Sequence, residues 1–201
     1  MTPGRVRGDR GQTLPIYIWL TGILLFAAFA FFAFAQAASA RNGAQSAADA
    51  AALAAAQDAR DELVEGLGKT IGVDDTWLDW LEGDLFEGAG AAAAAQQLAA
   101  ENDSSVTATE PTAVGGLPAF RVAVETNYTV GDSIIPGTET KHAKADATAV
   151  IEPRCDFDVD ADPAEPVSLD CDGESVDIDP EDFELDDLPD ASVLFSVHLV
   201  E

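Results

Sequence analysis

Between Gly11 and Ala40 the chain carries no charged residue. The middle of that run, IYIWLTGILLFAAFAFFAFA, matches the ~20 residues that a helix needs to cross the hydrocarbon core of a bilayer. It reads as a transmembrane helix, and it divides the chain into two environments. Met1 to Arg41 has four arginines against Asp9, a net +3, whereas Asn42 to Glu201 has 6 basic and 36 acidic residues, a net −30. The positive-inside rule keeps Arg5, Arg7 and Arg10 cytoplasmic, sets Tyr17 and Trp19 near the headgroups and sends everything after Arg41 outward. Ala38-Ser39-Ala40 offers the A-x-A site of a cleaved signal peptide, but the apolar run is much longer than the ~7–15 residues of a signal h-region.

The helix has a start signal and no early stop. Thr13 is a suitable N-cap, and Pro15 falls in the first turn, where its missing N–H does no harm. Beyond the membrane Gly43 is the only weakening glycine until Gly66 or Gly68, so a single helix is expected from about Leu14 to Leu67, roughly 80 Å long at 1.5 Å per residue. Ala40, Ala44, Ala48, Ala52 and Ala56 recur every four residues, as do Ser39, Gly43, Ala47, Ala51, Ala55 and Ala59. Two adjacent rows of small side chains permit close backbone approach between helices. Arg41, Gln45, Asp49 and Gln57, with Asn42, Ser46 and Asp58, lie to one side. The expected helix-packing face is Gly43, Ala44, Ala47, Ala48, Ala51, Ala52, Ala55 and Ala56, presented to the helices of other proteins.

After a break at Gly66–Gly72, TWLDWLEGDLF reads as a short amphipathic helix capped by Asp74-Asp75-Thr76, with Trp77, Leu78, Trp80, Leu81, Leu85 and Phe86 on the face toward a core. Gly88 to Asn102 reads as a second alanine-rich helix. From Val106 the apolar period becomes two: VTATE, AFRVAVETNYTV, ADATAVIEP and the closing SVLFSVHLV are expected antiparallel strands. Gly115-Gly116 and Pro136-Gly137 supply turns. The fold class is therefore α+β: a long transmembrane helix continuing into an alanine-rich helix, then short helices and a small antiparallel sheet. The expected divisions are a cytoplasmic tail (1–12), the transmembrane helix (13–40), an alanine-rich helical stalk (41–67) and an acidic extracytoplasmic domain (68–201).

Cys155 and Cys171 are the two cysteines, and in an oxidising compartment a disulfide is the reading they favour. Asp156 to Asp190 holds sixteen acidic residues. Its Asp156-x-Asp158-x-Asp160 spacing is the kind of oxygen array calcium uses, but Ala161 and Val167 stand where an EF-hand loop needs glycine and glutamate. A solvated acidic loop is the expectation. His142 and His198 sit in no metal-ligand spacing, and no nucleophile elbow or phosphate-cradling glycine loop is present. The sequence thus offers no catalytic residue, no metal site and no cofactor, and its negative charge disfavours nucleic acid as a partner.

Arg10-Gly11-Gln12, Pro15 before the apolar run, and Arg41-Asn42 followed by Gln45-Ser46-Ala47-Ala48-Asp49-Ala50-Ala51-Ala52-Leu53-Ala54 together resemble the N-terminal segment of TadE/TadG-like proteins of the tight-adherence (Flp) pilus system, TadG-related proteins in particular. The resemblance implies a membrane-anchored pilus assembly component with its bulk outside and other envelope proteins as partners. It departs from peptidase-processed pilin-like members, which carry Glu five residues after the cleavage glycine; counting from Gly11 gives Ile16. Two functions stay open: a structural component associating through helix packing, and a tethered acidic module that binds a cation, wall polymer or protein.

Overall fold

A computed structural model describes residues 13–83, 85, 88–131, 137, 139–158 and 160–200. The expected cytoplasmic tail with Arg5, Arg7 and Arg10, the apolar Phe86 and the turn residue Pro136 lie outside the described residues.

Helix α1 runs unbroken from Thr13 to Thr70, 58 residues or about 87 Å at 1.5 Å per residue. Neither Gly66 nor Gly68 stops it, contrary to the sequence expectation. Both are contact positions: a side chain at Gly66 would strike the indole of Trp80, and one at Gly68 would meet Leu185 and Leu188. Their lost helix propensity, about 1 kcal/mol each relative to alanine, is offset by the close approach they allow. The chain turns at Gly72, whose φ is +71°.

Two short helices follow, α2 (Trp77–Leu81) and α3 (Ala91–Glu101). Four long segments then form an antiparallel sheet in the order β1-β2-β3-β7, from Ser104–Val114, Leu117–Thr129, His142–Pro153 and Phe195–Val200. Strands β1 and β2 join through Gly115 and Gly116, both at positive φ, the conformation a two-residue hairpin loop with native twist demands. Phe120, Val122 and Val124 of β2 and Ala147, Ala149 and Ile151 of β3 point inward. The second half of α1 and α3 cover that face, giving one helical layer on one sheet. The other face carries the ion pairs Arg121–Asp146 and Lys144–Glu125.

Two segments depart from the strand expectations. The closing strand begins only at Phe195, because Ala191–Leu194 form one helical turn, α4, with the Val193 amide donating to the Asp190 carbonyl at 2.8 Å. The acidic stretch is more than a loop. It contains a second sheet, β4-β5-β6 (Cys155–Asp156, Val167–Cys171, Glu174–Ile178), in which Val167, Leu169, Cys171 and Ile178 are buried. Its hairpin turns at Asp172 and Gly173, both at positive φ.

Candidate membrane anchor and helix interface

Helix α1 is long and apolar enough to cross a membrane. From Leu14 to Phe34 its large apolar side chains are exposed, among them Trp19, Leu24, Phe26, Phe31 and Phe34. Fourteen exposed aromatic or aliphatic side chains would be a severe solubility defect in water and are what a lipid solvent requires.

Ala33 is the first buried residue of the helix. From Ala40 the pattern inverts: Ala44, Ala47, Ala48, Ala51, Ala52, Ala55, Ala56 and Ala59, then Leu63 and Leu67, have no exposed surface at all. Small side chains let the helix axis approach β2, β3 and the alanine face of α3, Ala91, Ala95 and Ala99, so that dispersion contacts are made backbone to backbone. Gly43 completes the row, since a methyl there would collide with the Tyr128 hydroxyl. Gln45 sits at the edge of the contact, donating to Asp49 Oδ1 at 2.8 Å and to the Asp146 carbonyl at 3.4 Å.

This corrects two expectations. The rows read as a face for other proteins are covered by the chain itself, and residues 41–67 are no stalk: they are the central core element of the domain assigned to 68–201. The small-residue signal correctly marks close packing, but spacing alone does not distinguish an inter-chain partner from an intra-chain one.

The two helices are also joined electrostatically. Glu62 Oε2 accepts from the amides of Gly88 and Ala89, at 2.9 and 3.3 Å, just ahead of α3, while the Asp58 carboxylate lies where any side chain at Gly90 would have to go. Glu62 thereby holds the turn that leads into α3, and both acids stand near the partial positive charge of that helix start. Burial, then the neighbouring charges of Glu62 and Asp61, raises the Asp58 carboxyl above the usual aspartate range.

At the far end of α1 the acidic lobe is tied down by specific contacts. Cys155 and Cys171 form a disulfide between β4 and β5. The Arg154 guanidinium donates to Asp172 at 2.6 Å and to the Ser192 carbonyl at 2.8 Å, linking the two sheets. Buried Trp77 donates its indole N–H to the Pro163 carbonyl at 2.9 Å. Several aspartates close local turns: Asp158, Asp162, Asp170 and Asp179 accept from the amides of Asp160, Ala164, Gly173 and Glu181. The carboxylates of the Asp-x-Asp-x-Asp run are exposed, and among the described residues no three His, Cys, Asp or Glu side chains converge as a metal site. His142 Nδ1 lies 2.7 Å from the Thr126 carbonyl, and His198 Nδ1 is 3.9 Å from Glu152, so the two histidines share no site.

Tyr128 and Gly131, at the end of β2, escaped the sequence reading. They meet α1 at Gly43 and Gln36, 3.8 Å separating the Gln36 side chain from where a Cβ on Gly131 would stand. The one local signal was Gln36 itself, a polar residue at the end of an apolar run.

Residues 11–58 match a family model described as Putative Flp pilus-assembly TadE/G-like. The match takes in the whole exposed half of α1 and its buried half as far as Asp58. No curated protein and no solved structure matches the chain.

Proposed function

We propose that this chain is a single-pass, membrane-anchored component of a Flp pilus assembly system or a related envelope apparatus, with its N-terminus cytoplasmic and its acidic α+β domain outside. The observation that carries the reading is an overlap along α1. The segment similar to TadE/G-like proteins coincides with a helix that exposes large apolar side chains along one half and seats a domain along the other. The role is one of position: a rigid helix holds the domain at a fixed height above the bilayer, and no reacting group is needed for that.

Association with other pilus or envelope proteins then runs through the membrane-embedded turns before Ala33 or through the outer surface of the domain, because the alanine rows are already engaged. Added protease should remove the acidic domain from cells stripped of their wall while leaving a membrane-bound N-terminal fragment. A mature soluble form beginning near Arg41 would defeat the anchoring.

The second reading, a tethered acidic binding module, is favoured by one observation: the acidic residues decorate a built, disulfide-tied lobe. Neutralising Asp156, Asp158 and Asp160 together, with co-purification of envelope proteins as the readout, separates the two. Loss of every association on those changes would put the binding module first.

A further inference from the structure

We infer that the end of the domain formed by Gly131, Lys141 and the α1 turn from Ala33 to Gln36 is a lipid-contacting surface, seated in the headgroup layer of the bilayer that α1 spans. The inference rests on the anchored reading above and adds where the bilayer ends on the molecule.

The turns around Ala33 face two solvents at once. Phe31 and Phe34 are 77% and 76% exposed, and burying such rings takes hydrocarbon up to the level of Phe34. Ala33, between them in sequence, is buried in the protein, and Gln36, less than one turn on, meets the Gly131 end of β2. Domain and lipid therefore reach the same turn of one helix from different sides. Leu14 to Phe34 spans about 30 Å at 1.5 Å per residue, the thickness of the hydrocarbon core, and the headgroup layer adds roughly 5–7 Å beyond it. Gln36 falls inside that layer. So does Gly131 beside it, and the Val130 amide, donating to the Lys141 carbonyl at 2.9 Å, fixes the two strands of this end at one height.

The residues at this end suit the place. Arg41 and Lys141 are exposed cations that can reach toward phosphate headgroups. The acidic lobe packs at the opposite end, Leu185 over Gly68 and Pro180 against Gly72. Gly68 lies 32 residues beyond Gln36, about 48 Å along the helix, several times the ~8 Å screening length at physiological salt. A chain with so large a negative charge can thus rest on an anionic surface, because the helix carries most of that charge away from it.

Both native cysteines are joined in the disulfide, so one added cysteine gives one labelling position. The full chain would be placed in lipid nanodiscs containing nickel-chelating headgroup lipids, with a nitroxide at Phe29→Cys, Lys141→Cys or Asp186→Cys. Headgroup nickel should enhance relaxation of the Lys141 label at least several-fold more than that of the Asp186 label, and oxygen should dominate relaxation of the Phe29 label. If Phe29 is in hydrocarbon while Lys141 behaves like Asp186, the lipid-contacting surface is overturned and the anchor stands. If the Phe29 label is aqueous, the anchor fails and this inference fails with it. Thr140→Cys, exposed beside Lys141, serves as the second position should Lys141→Cys misfold, with the same outcomes.

Discussion

The first and second halves of α1 belong to one continuous helix and obey opposite rules. Before Ala33 the helix is built from Phe, Leu, Ile and Trp, and those side chains are exposed; after Ala40 it is built largely from alanine, and all of those alanines but Ala50 are buried. Hydrophobicity alone would invert this order. Where the surroundings are hydrocarbon, a large side chain has nothing to gain from the protein interior and faces outward. Where the surroundings are water, burial is driven by total contact, and a small side chain reaches it by bringing two backbones together. On the anchored reading proposed above, residue size along the helix thus records which solvent lies outside it.

The sharpest way to break this comparison is to enlarge side chains in both halves. Ala48→Leu/Ala52→Leu forces extra carbons at two buried positions about one turn apart between α1 and its neighbours, where each overpacked site costs about 1–3 kcal/mol. Against a total stability on the order of 5–15 kcal/mol, the pair should lower the denaturation midpoint of the domain severely or prevent folding. Ala27→Leu/Ala28→Leu, the same chemistry on exposed positions, should leave that midpoint unchanged. Equal effects from the two pairs would end the distinction between the halves.

Most of α1 was legible from residues because both of its signals are local: an uncharged run and a four-residue small-side-chain period. The strands β2 and β3 were legible for the same reason, through alternation such as Phe120, Val122, Val124. The partner of the alanine rows was not, since α3 and β3 lie more than 30 residues away in sequence and nothing in a period of four names what it packs against. The glycines at 66 and 68 were misread because a glycine that breaks a helix and one that admits an indole or a leucine look alike until Trp80 and Leu185 are placed. In the acidic lobe, Val167, Leu169 and Cys171 do alternate, but in a stretch dominated by aspartate and glutamate the alternation was overshadowed by charge.

The second effect in size concerns the far end of the buried half. Cys155→Ser/Cys171→Ser should destabilise the chain by about 3 kcal/mol on the chain-entropy account of a loop this long. Because Leu169 and Cys171 share a core with Leu63 and Leu67, amide exchange around Leu63 should quicken as well. Exchange that accelerates only in residues 155–178 would show that the lobe and the buried half of α1 unfold separately. A smaller loss, about 1 kcal/mol, is expected for Glu62→Ala, which withdraws the acceptor from the Gly88 and Ala89 amides. Faster exchange of those two amides, with the sheet unaffected, is the expected signature; an unchanged rate would remove Glu62 from that role.

The smallest effect is a pH slope, and it tests a place where the buried half accepts charge. Asp58 lies beside Glu62 and Asp61 at the edge of the α1–α3 contact, and burial followed by those two charges raises its carboxyl pKa. In the window between the ordinary aspartate pKa and the raised one, the folded chain holds more protons at this site than the unfolded chain, so its contribution to stability falls as pH rises through that window. Glu125 has the opposite sign: its hydrogen bond from Lys144 lowers its pKa, so its contribution is lost as pH falls. Total stability mixes the two, and the difference between the parent chain and Asp58→Asn isolates the first. That difference should favour the variant increasingly as pH climbs from the ordinary aspartate range through the raised pKa, because asparagine keeps the shape at Gly90 without the desolvated charge. A flat difference would mean that Asp58 is solvated in the folded chain. A difference of the opposite sign would mean that its charge, acting on the start of α3, outweighs its burial, and the α1–α3 contact would then be held together by both acids instead of by alanine packing with Glu62 holding the turn ahead of α3.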